Sequence, residues 1–196
     1  MKYVVAVDQS TSASKVFLVD ERGEITRAVK HAHRQLYPTP GRAEHDAEEI
    51  YQCVRAGINE VIDGVERTQI DAIALTNQRE TIVVWERATG QPICPAIVWQ
   101  DTRGDRVCAE LASANDRVRQ LTGSAISPYL PASKAEQLLR EQPSLRERAQ
   151  NGELCIGTIE SYLIFRLCGR FVSDYSNASR TQWLDLHTRD WSSELL

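Results

Sequence analysis

The amino-acid sequence predicts an α/β fold, a mixed sheet that opens with a β-meander and carries helices on its flanks. Three observations predict it. Short apolar runs bounded by turn residues recur through the first half, at Tyr3 to Val7, Lys15 to Val19 and Ile70 to Leu75. Between them, Ile50 to Val65 repeats its apolar residues at helical spacing, and from Arg106 onward helical patterns dominate. Strands interleaved with amphipathic helices bury their apolar faces on one another, which is the layered α/β solution.

The opening run Tyr3 to Val7 reads as a buried strand, followed by Asp8-Gln9-Ser10-Thr11-Ser12-Ala13-Ser14 and a second strand, Lys15 to Val19. Asp20-Glu21-Arg22-Gly23 is a turn signal, and Glu24 to His31 returns as a third strand. Tyr37-Pro38-Thr39-Pro40-Gly41 delivers the chain to a helix start, where Asp46 is a candidate N-cap with Glu49 in capping-box position. Ile50, Cys53, Val54, Ile58, Val61, Ile62 and Val65 then form one apolar face that suits packing on a sheet.

After the strand Ile70 to Leu75, the runs Ile82 to Trp85 and Ala96 to Trp99 flank a hairpin connection at Arg87 to Pro92. Helical stretches follow at Val107 to Leu111 and Val118 to Leu121, the second stopped by Gly123. Ser127-Pro128-Tyr129-Leu130-Pro131 reads as a rigid loop before a helix through Leu139, and Pro143 starts another. Leu154 to Leu167 suits a buried helix ended by Gly169, and Phe171 to Tyr175 opens a last β region reaching Leu186. No repeat or low-complexity linker interrupts residues 1–196, so the sequence reads as one domain.

A hydrophobic share of 42% and a charged share of 26% exclude disordered and fibrous classes. A net charge of −4 advertises no basic surface for nucleic acid. The apolar start is too short for a signal-peptide core or a membrane span, so no membrane partner and a cytoplasmic location are expected. Cys53, Cys94, Cys108, Cys155 and Cys168 contain no C-x-x-C pair and read as small hydrophobes rather than a disulfide framework or zinc site.

The chemistry gathers where apolar strands end. Thr76-Asn77-Gln78-Arg79-Glu80-Thr81 is polar, yet it lacks the Gly or Pro that would make it an ordinary turn. Arg79 offers a fork of donors and Glu80 only acceptors, a pair that can hold a polyhydroxylated molecule from both sides; two solvated loop charges are the alternative. Trp99-Gln100-Asp101-Thr102-Arg103 repeats the pattern, with Trp99 open to core packing as well. Tyr129 is a held ligand contact or a half-buried loop aromatic. Asp174 and Arg180 bracket a further polar group, Ser176 to Ser179. In the first turn, Asp8 with Ser and Thr hydroxyls can hold a metal-bound phosphate, with Lys15 adding a charge; a plain hydroxyl-rich hairpin is the alternative.

Taken in order, Val5-Ala6-Val7-Asp8-Gln9-Ser10-Thr11-Ser12, Glu44-His45-Asp46, Thr76 to Thr81, Ala96-Ile97-Val98-Trp99-Gln100-Asp101, Pro128-Tyr129 and Asp174-Tyr175-Ser176-Asn177-Ala178-Ser179-Arg180-Thr181 resemble the FGGY carbohydrate kinases, and within them the branch that phosphorylates glycerol. The resemblance implies the N-terminal domain of an actin-like ATPase (ribonuclease H-like) fold. It implies ATP and Mg²⁺ as cofactors and a small polyol, glycerol favoured, as substrate, and it leaves homo-oligomerisation open. By the same resemblance Arg79 and Glu80 bind substrate hydroxyls, Trp99 packs on the carbon backbone and Tyr129 completes the pocket. Asp8 stands on the metal and phosphate side, reaching the metal through water, with Thr11, Ser12 and Lys15 toward the phosphates.

Two residues depart from the family pattern. Ser10 replaces a usual Gly, and Lys15 stands where Arg is usual, trading a fork for a point charge. The family's general base and its Gly-rich adenosine-binding half are expected beyond Leu196, so negligible turnover is expected of these 196 residues alone. A kinase for another sugar or polyol, and a non-catalytic binding domain, remain as rival readings.

Overall fold

The computed structural model describes all of residues 1–196. The chain falls into two compact units, one made of Met1–Gln35 with His45–Gln78, the other of Leu36–Glu44 with Arg79–Leu196. No shift in composition marks the division in the sequence.

In the first unit, β1 (Tyr3–Gln9), β2 (Ala13–Asp20) and β3 (Ile25–Ala32) form the predicted meander. The short β4 (Glu44–His45) precedes α1 (Ala47–Val61), and β5 (Ile70–Asn77) follows. The sheet order is β3-β2-β1-β5, with β5 parallel to β1. A parallel neighbour requires a crossover, and α1 supplies it. Val5, Val7, Val16 and Leu18 alternate onto the buried face, and Ile50, Val54, Ile58 and Val61 are buried on α1. The helix lies so close that a Cβ on Gly57 would stand 2.6 Å from Val16 Cγ2.

Asp46 caps α1 as the sequence indicates, accepting from the N–H groups of Glu48 at 2.9 Å and Glu49 at 3.1 Å. The reciprocal half of the capping box is corrected by the structure: the Glu49 carboxylate takes Arg34 Nε at 2.9 Å instead. An available guanidinium is a stronger donor than the backbone N–H of the cap.

The second unit is built on β6 (Ile82–Glu86) and β7 (Ala96–Ile97), joined by the expected hairpin. Then come α2 (Asp105–Glu110), α3 (Asn115–Thr122), α4 (Pro131–Glu141) and α5 (Pro143–Gln150). Gly123 ends α3 at φ +73°, the left-handed cap that glycine adopts without steric cost. Ile82, Val84 and Ile97 pack with Ala135, Leu138, Leu145 and Leu154 into one core cluster.

Two sequence expectations fail here. Leu154 to Leu167 is not one helix: it divides into β8 (Leu154–Thr158), antiparallel to β6, and α6 (Ile159–Cys168). The sheet order is β4-β7-β6-β8, so β6 recruits the first residues of the run to pair its own open side. The expected β region after Phe171 is also absent. Asp174 instead caps α7 (Tyr175–Ala178), accepting from Asn177 N–H at 2.7 Å, and only β9 (Leu184–Asp185) and β10 (Asp190–Trp191) are extended. Phe171 has a different task, standing 5.2 Å from the fully buried Trp85, which Tyr162 also meets edge-on at 5.5 Å. No helix is long and apolar enough to cross a membrane.

Candidate functional site

Each unit presents one of the predicted residue groups. In the first, the hydroxyl-rich turn is tighter than the sequence suggests: β1 and β2 run on to Gln9 and from Ala13, leaving Ser10, Thr11 and Ser12 as the connection. Ser10 N–H donates to the Ala13 carbonyl at 2.9 Å, and Ser10 Oγ donates to Asp8 Oδ1 at 2.7 Å. Asp8 and Lys15 are register partners across the hairpin, with Lys15 Nζ 3.5 Å from Asp8 Oδ2. Both side chains keep more than a third of their surface open to water. One half-exposed carboxylate, one ammonium and three neighbouring hydroxyls are therefore fixed at the strand end.

Behind this turn lies a buried polar chain that sequence reasoning missed. Gln78 Nε2 donates to Gln9 Oε1 at 3.1 Å and stands 3.3 Å from His45 Nδ1, while Gln9 Nε2 donates to the Ser10 carbonyl at 2.8 Å. His33 Nε2 donates to the Thr11 carbonyl at 2.8 Å, and its ring meets that of His45 at 4.8 Å. Burial pushes His33 below its ordinary range, and burial with the neighbouring His33 pushes His45 down to about 4. The bonding of His45 agrees with a neutral ring: an imidazolium there would turn Nδ1 into a donor facing the Gln78 amide N–H. The sequence signal was present in Glu44-His45-Asp46 and Gln9, but polar residues next to a strand do not announce burial.

In the second unit, Arg79, Glu80, Trp99 and Tyr129 come together. Arg79 is exposed, whereas Glu80 is only 3% exposed and takes φ +64°, a conformation uncommon for a side chain without an amide or a glycine's freedom. Arg180 Nε donates to Glu80 Oε1 at 2.6 Å, joining the far end of the chain to the hexapeptide. The rings of Trp99 and Tyr129 meet edge-on, 5.7 Å between centroids. The Trp99 N–H donates to the buried Thr81 Oγ1 at 3.2 Å, so the hexapeptide also anchors the second strand-end group. Burial, then the Glu80 carboxylate, pushes the Tyr129 phenol up.

Asp101 and Arg103, which the sequence grouped with Trp99, turn inward and form a brace. Arg103 meets Asp101 through Nε and Nη2, each at 2.8 Å, and reaches Glu44 at 2.6 Å, while Asp101 Oδ2 also accepts from Ala43 N–H at 2.8 Å. Burial raises the pKa of Asp101, but these donors outweigh it and hold the carboxyl below its usual range. Lys134 is a further residue without a sequence signal: it is fully buried on α4, and its ammonium donates to the Tyr129 carbonyl. A cavity of about 900 Å³ is mostly apolar, lined by residues such as Leu111, Leu139, Phe171 and Trp191. It includes none of the predicted site residues.

Residues 3–196 match the N-terminal domain of the FGGY family of carbohydrate kinases. The chain belongs to this family. Among curated FGGY relatives, a glycerol kinase of Streptomyces avermitilis is 44% identical over the whole chain, and one of Nocardia farcinica is 42% identical over 99% of it. The chain spans 40% of the length of each. The crystal structure of Plasmodium falciparum glycerol kinase with ADP superposes with a TM-score of 0.91 at 33% identity, covering all of this chain and 40% of that one. Gluconate kinase from Lactobacillus acidophilus gives a TM-score of 0.90 at 25% identity. These neighbours carry the actin-like ATPase fold of the FGGY kinases, as the resemblance implied.

Proposed function

We propose that this chain supplies the polyol-binding part of a kinase that transfers the γ-phosphoryl group of ATP to a hydroxyl of glycerol. The observation that carries the reading is the buried, Arg180-braced Glu80 beside the exposed Arg79, with the Trp99–Tyr129 ring pair in the same unit. Glycerol is short and has adjacent hydroxyls. Arg79 donates to them, Glu80 accepts from them, and the aromatic surfaces cover its carbon atoms. The similarity to glycerol kinases of Streptomyces avermitilis and Nocardia farcinica supports glycerol over other polyols.

On this reading residues 3–196 act as one N-terminal FGGY domain in the cytoplasm, and the first unit supplies the phosphate side. The residues present fit Mg²⁺ with nucleotide phosphates. Asp8 is a single accessible carboxylate, and no cluster of three or more His, Cys, Asp or Glu offers a complete cage. Mg²⁺ is ordinarily held in this way, by one or two carboxylates with water and phosphate oxygens completing the shell. Thr11, Ser12 and Lys15 are placed to meet phosphate oxygens with hydroxyls and one ammonium. When bound, the metal supplies charge neutralisation on the transferring group.

In the reaction a glycerol oxygen bonds to the γ-phosphorus, the bond to the β–γ bridging oxygen breaks and ADP leaves with that oxygen. On this reading the hydroxyl proton passes to a general base that is none of the residues named here. Most of the rate in phosphoryl transfer comes from positioning and charge stabilisation, which is what these side chains offer.

Titration of the ¹⁵N-labelled chain with glycerol tests the reading. Saturable shifts of the Trp99 indole signal, identified with Trp99→Phe, are expected with glycerol and weaker ones with D-gluconate. A preference for gluconate would favour a sugar-acid kinase, and no saturable shift with either would refute the polyol clamp.

A further inference from the structure

Lys134 is an ammonium on α4 with 0% exposure, and such groups are rarely buried without a carboxylate in contact. No ion pair accompanies it within 4 Å; its hydrogen-bond partner is the carbonyl of Tyr129, over whose ring the nitrogen also lies, 5.8 Å from the centroid. The charged and titratable groups that face it are Asp101 and Glu80, which favour its cation, Arg103, which opposes it, and the Cys108 thiol. Burial outweighs the carboxylates and lowers its pKa to about 8. A leucine or methionine would fill the same space without the desolvation cost, so packing does not explain the residue.

We propose that Lys134 is a positioning residue of the polyol clamp: it fixes the Tyr129 backbone, and with it the edge-on Trp99–Tyr129 pair, and balances the carboxylate of Glu80. The inference rests on the clamp reading given above. Two features make the geometry specific. The Ser127–Pro131 loop that carries Tyr129 is held by a side-chain link, the single Ser133 hydroxyl hydrogen shared between the Ser127 and Leu130 carbonyls, 3.1 and 3.2 Å from Oγ, so the lysine acts on a loop already tied to its own helix. Lys134 and Ser133 are neighbours on the first turns of α4, which Pro131 begins, so one helix start sets the whole loop. The cation over the Tyr129 ring adds an attraction that a neutral side chain cannot reproduce.

The test is glycerol titration of the chain, read at the Trp99 indole, for wild type, Lys134→Met, Lys134→Arg and Arg79→Ala. Lys134→Met is expected to weaken glycerol binding about tenfold, the loss typical of a charged hydrogen bond, and to move the Trp99 signal before any ligand is added. Lys134→Arg, which keeps the cation and a donor, is expected to recover most of that loss, as a purely space-filling role would not allow. Unchanged affinity in Lys134→Met, or equal weakening in the Met and Arg variants, overturns the proposal. Should Lys134→Met fail to fold, wild type at pH 7 and pH 9.5 decides: binding is expected to weaken as the ammonium deprotonates, and equal affinity overturns the role. No binding in wild type, or no effect of Arg79→Ala, refutes the clamp itself rather than the positioning role.

Discussion

Glu80 is buried, ion-paired with Arg180 and held at a positive φ. Its left-handed backbone costs about 1 to 3 kcal/mol, which the surrounding structure must offset. The guanidinium of Arg180 is the visible compensation. Arg180→Ala leaves a buried carboxylate without its partner, and a loss of about 1 to 3 kcal/mol in urea denaturation is expected together with weaker glycerol binding. Arg79→Ala separates binding from stability, because Arg79 is exposed: glycerol affinity should fall while the denaturation midpoint stays in place. His45 yields a pH prediction of definite sign. Its folded pKa of about 4 lies below the unfolded value of 6.5, so between them the unfolded chain binds more protons. Stability is complete above about pH 6.5 and is lost as pH falls toward 4, by up to about 3 kcal/mol, with His33 acting in the same direction. In His45→Gln the acid-side slope of the denaturation free energy should be shallower; an unchanged slope would refute the neutral-histidine account.

Among the elements, α1 was legible because its apolar spacing and its N-cap agree with each other. Asp46→Ala should lower stability by about 1 kcal/mol, and Gly57→Ala by about 1 to 3 kcal/mol, since the new methyl must displace Val16; thermal unfolding of both variants checks this. Leu138 sits in the core cluster of the second unit at 2% exposure, and Leu138→Ala should cost about 2 to 5 kcal/mol. The division of Leu154 to Leu167 was not legible. Every position in β8 and the start of α6 is buried or nearly so, and a segment buried on all sides shows neither the two-residue nor the 3.6-residue period. The segment after Phe171 misled for the opposite reason. Its residues favour strands, but Asp174 captures the backbone as a helix cap.

At the scale of the whole molecule, the chain spans 40% of glycerol kinases to which it is 44% and 42% identical, and each of its two units presents one group of the candidate residues. If the division of labour holds, the two groups respond separately to mutation. In the native protein Asp8→Asn should lower turnover at least about tenfold with glycerol affinity little changed, measured by a coupled ADP-release assay beside the glycerol titration. The residues that the proposed reading sets against substrate and phosphate stand out in the sequence, because strand-end clusters of Asp, Arg, Glu, Trp and hydroxyl residues break an apolar pattern visibly. So were the meander, α1 and the helical second half, whose patterns are local. What only the tertiary structure decided is which polar residues are buried and with whom: Arg180 against Glu80, Lys134 beneath Tyr129, Gln78 against His45 and Gln9. The first and last join residues far apart in the chain, and the energies of all three come from water excluded by surrounding elements, a quantity that no local stretch of sequence contains.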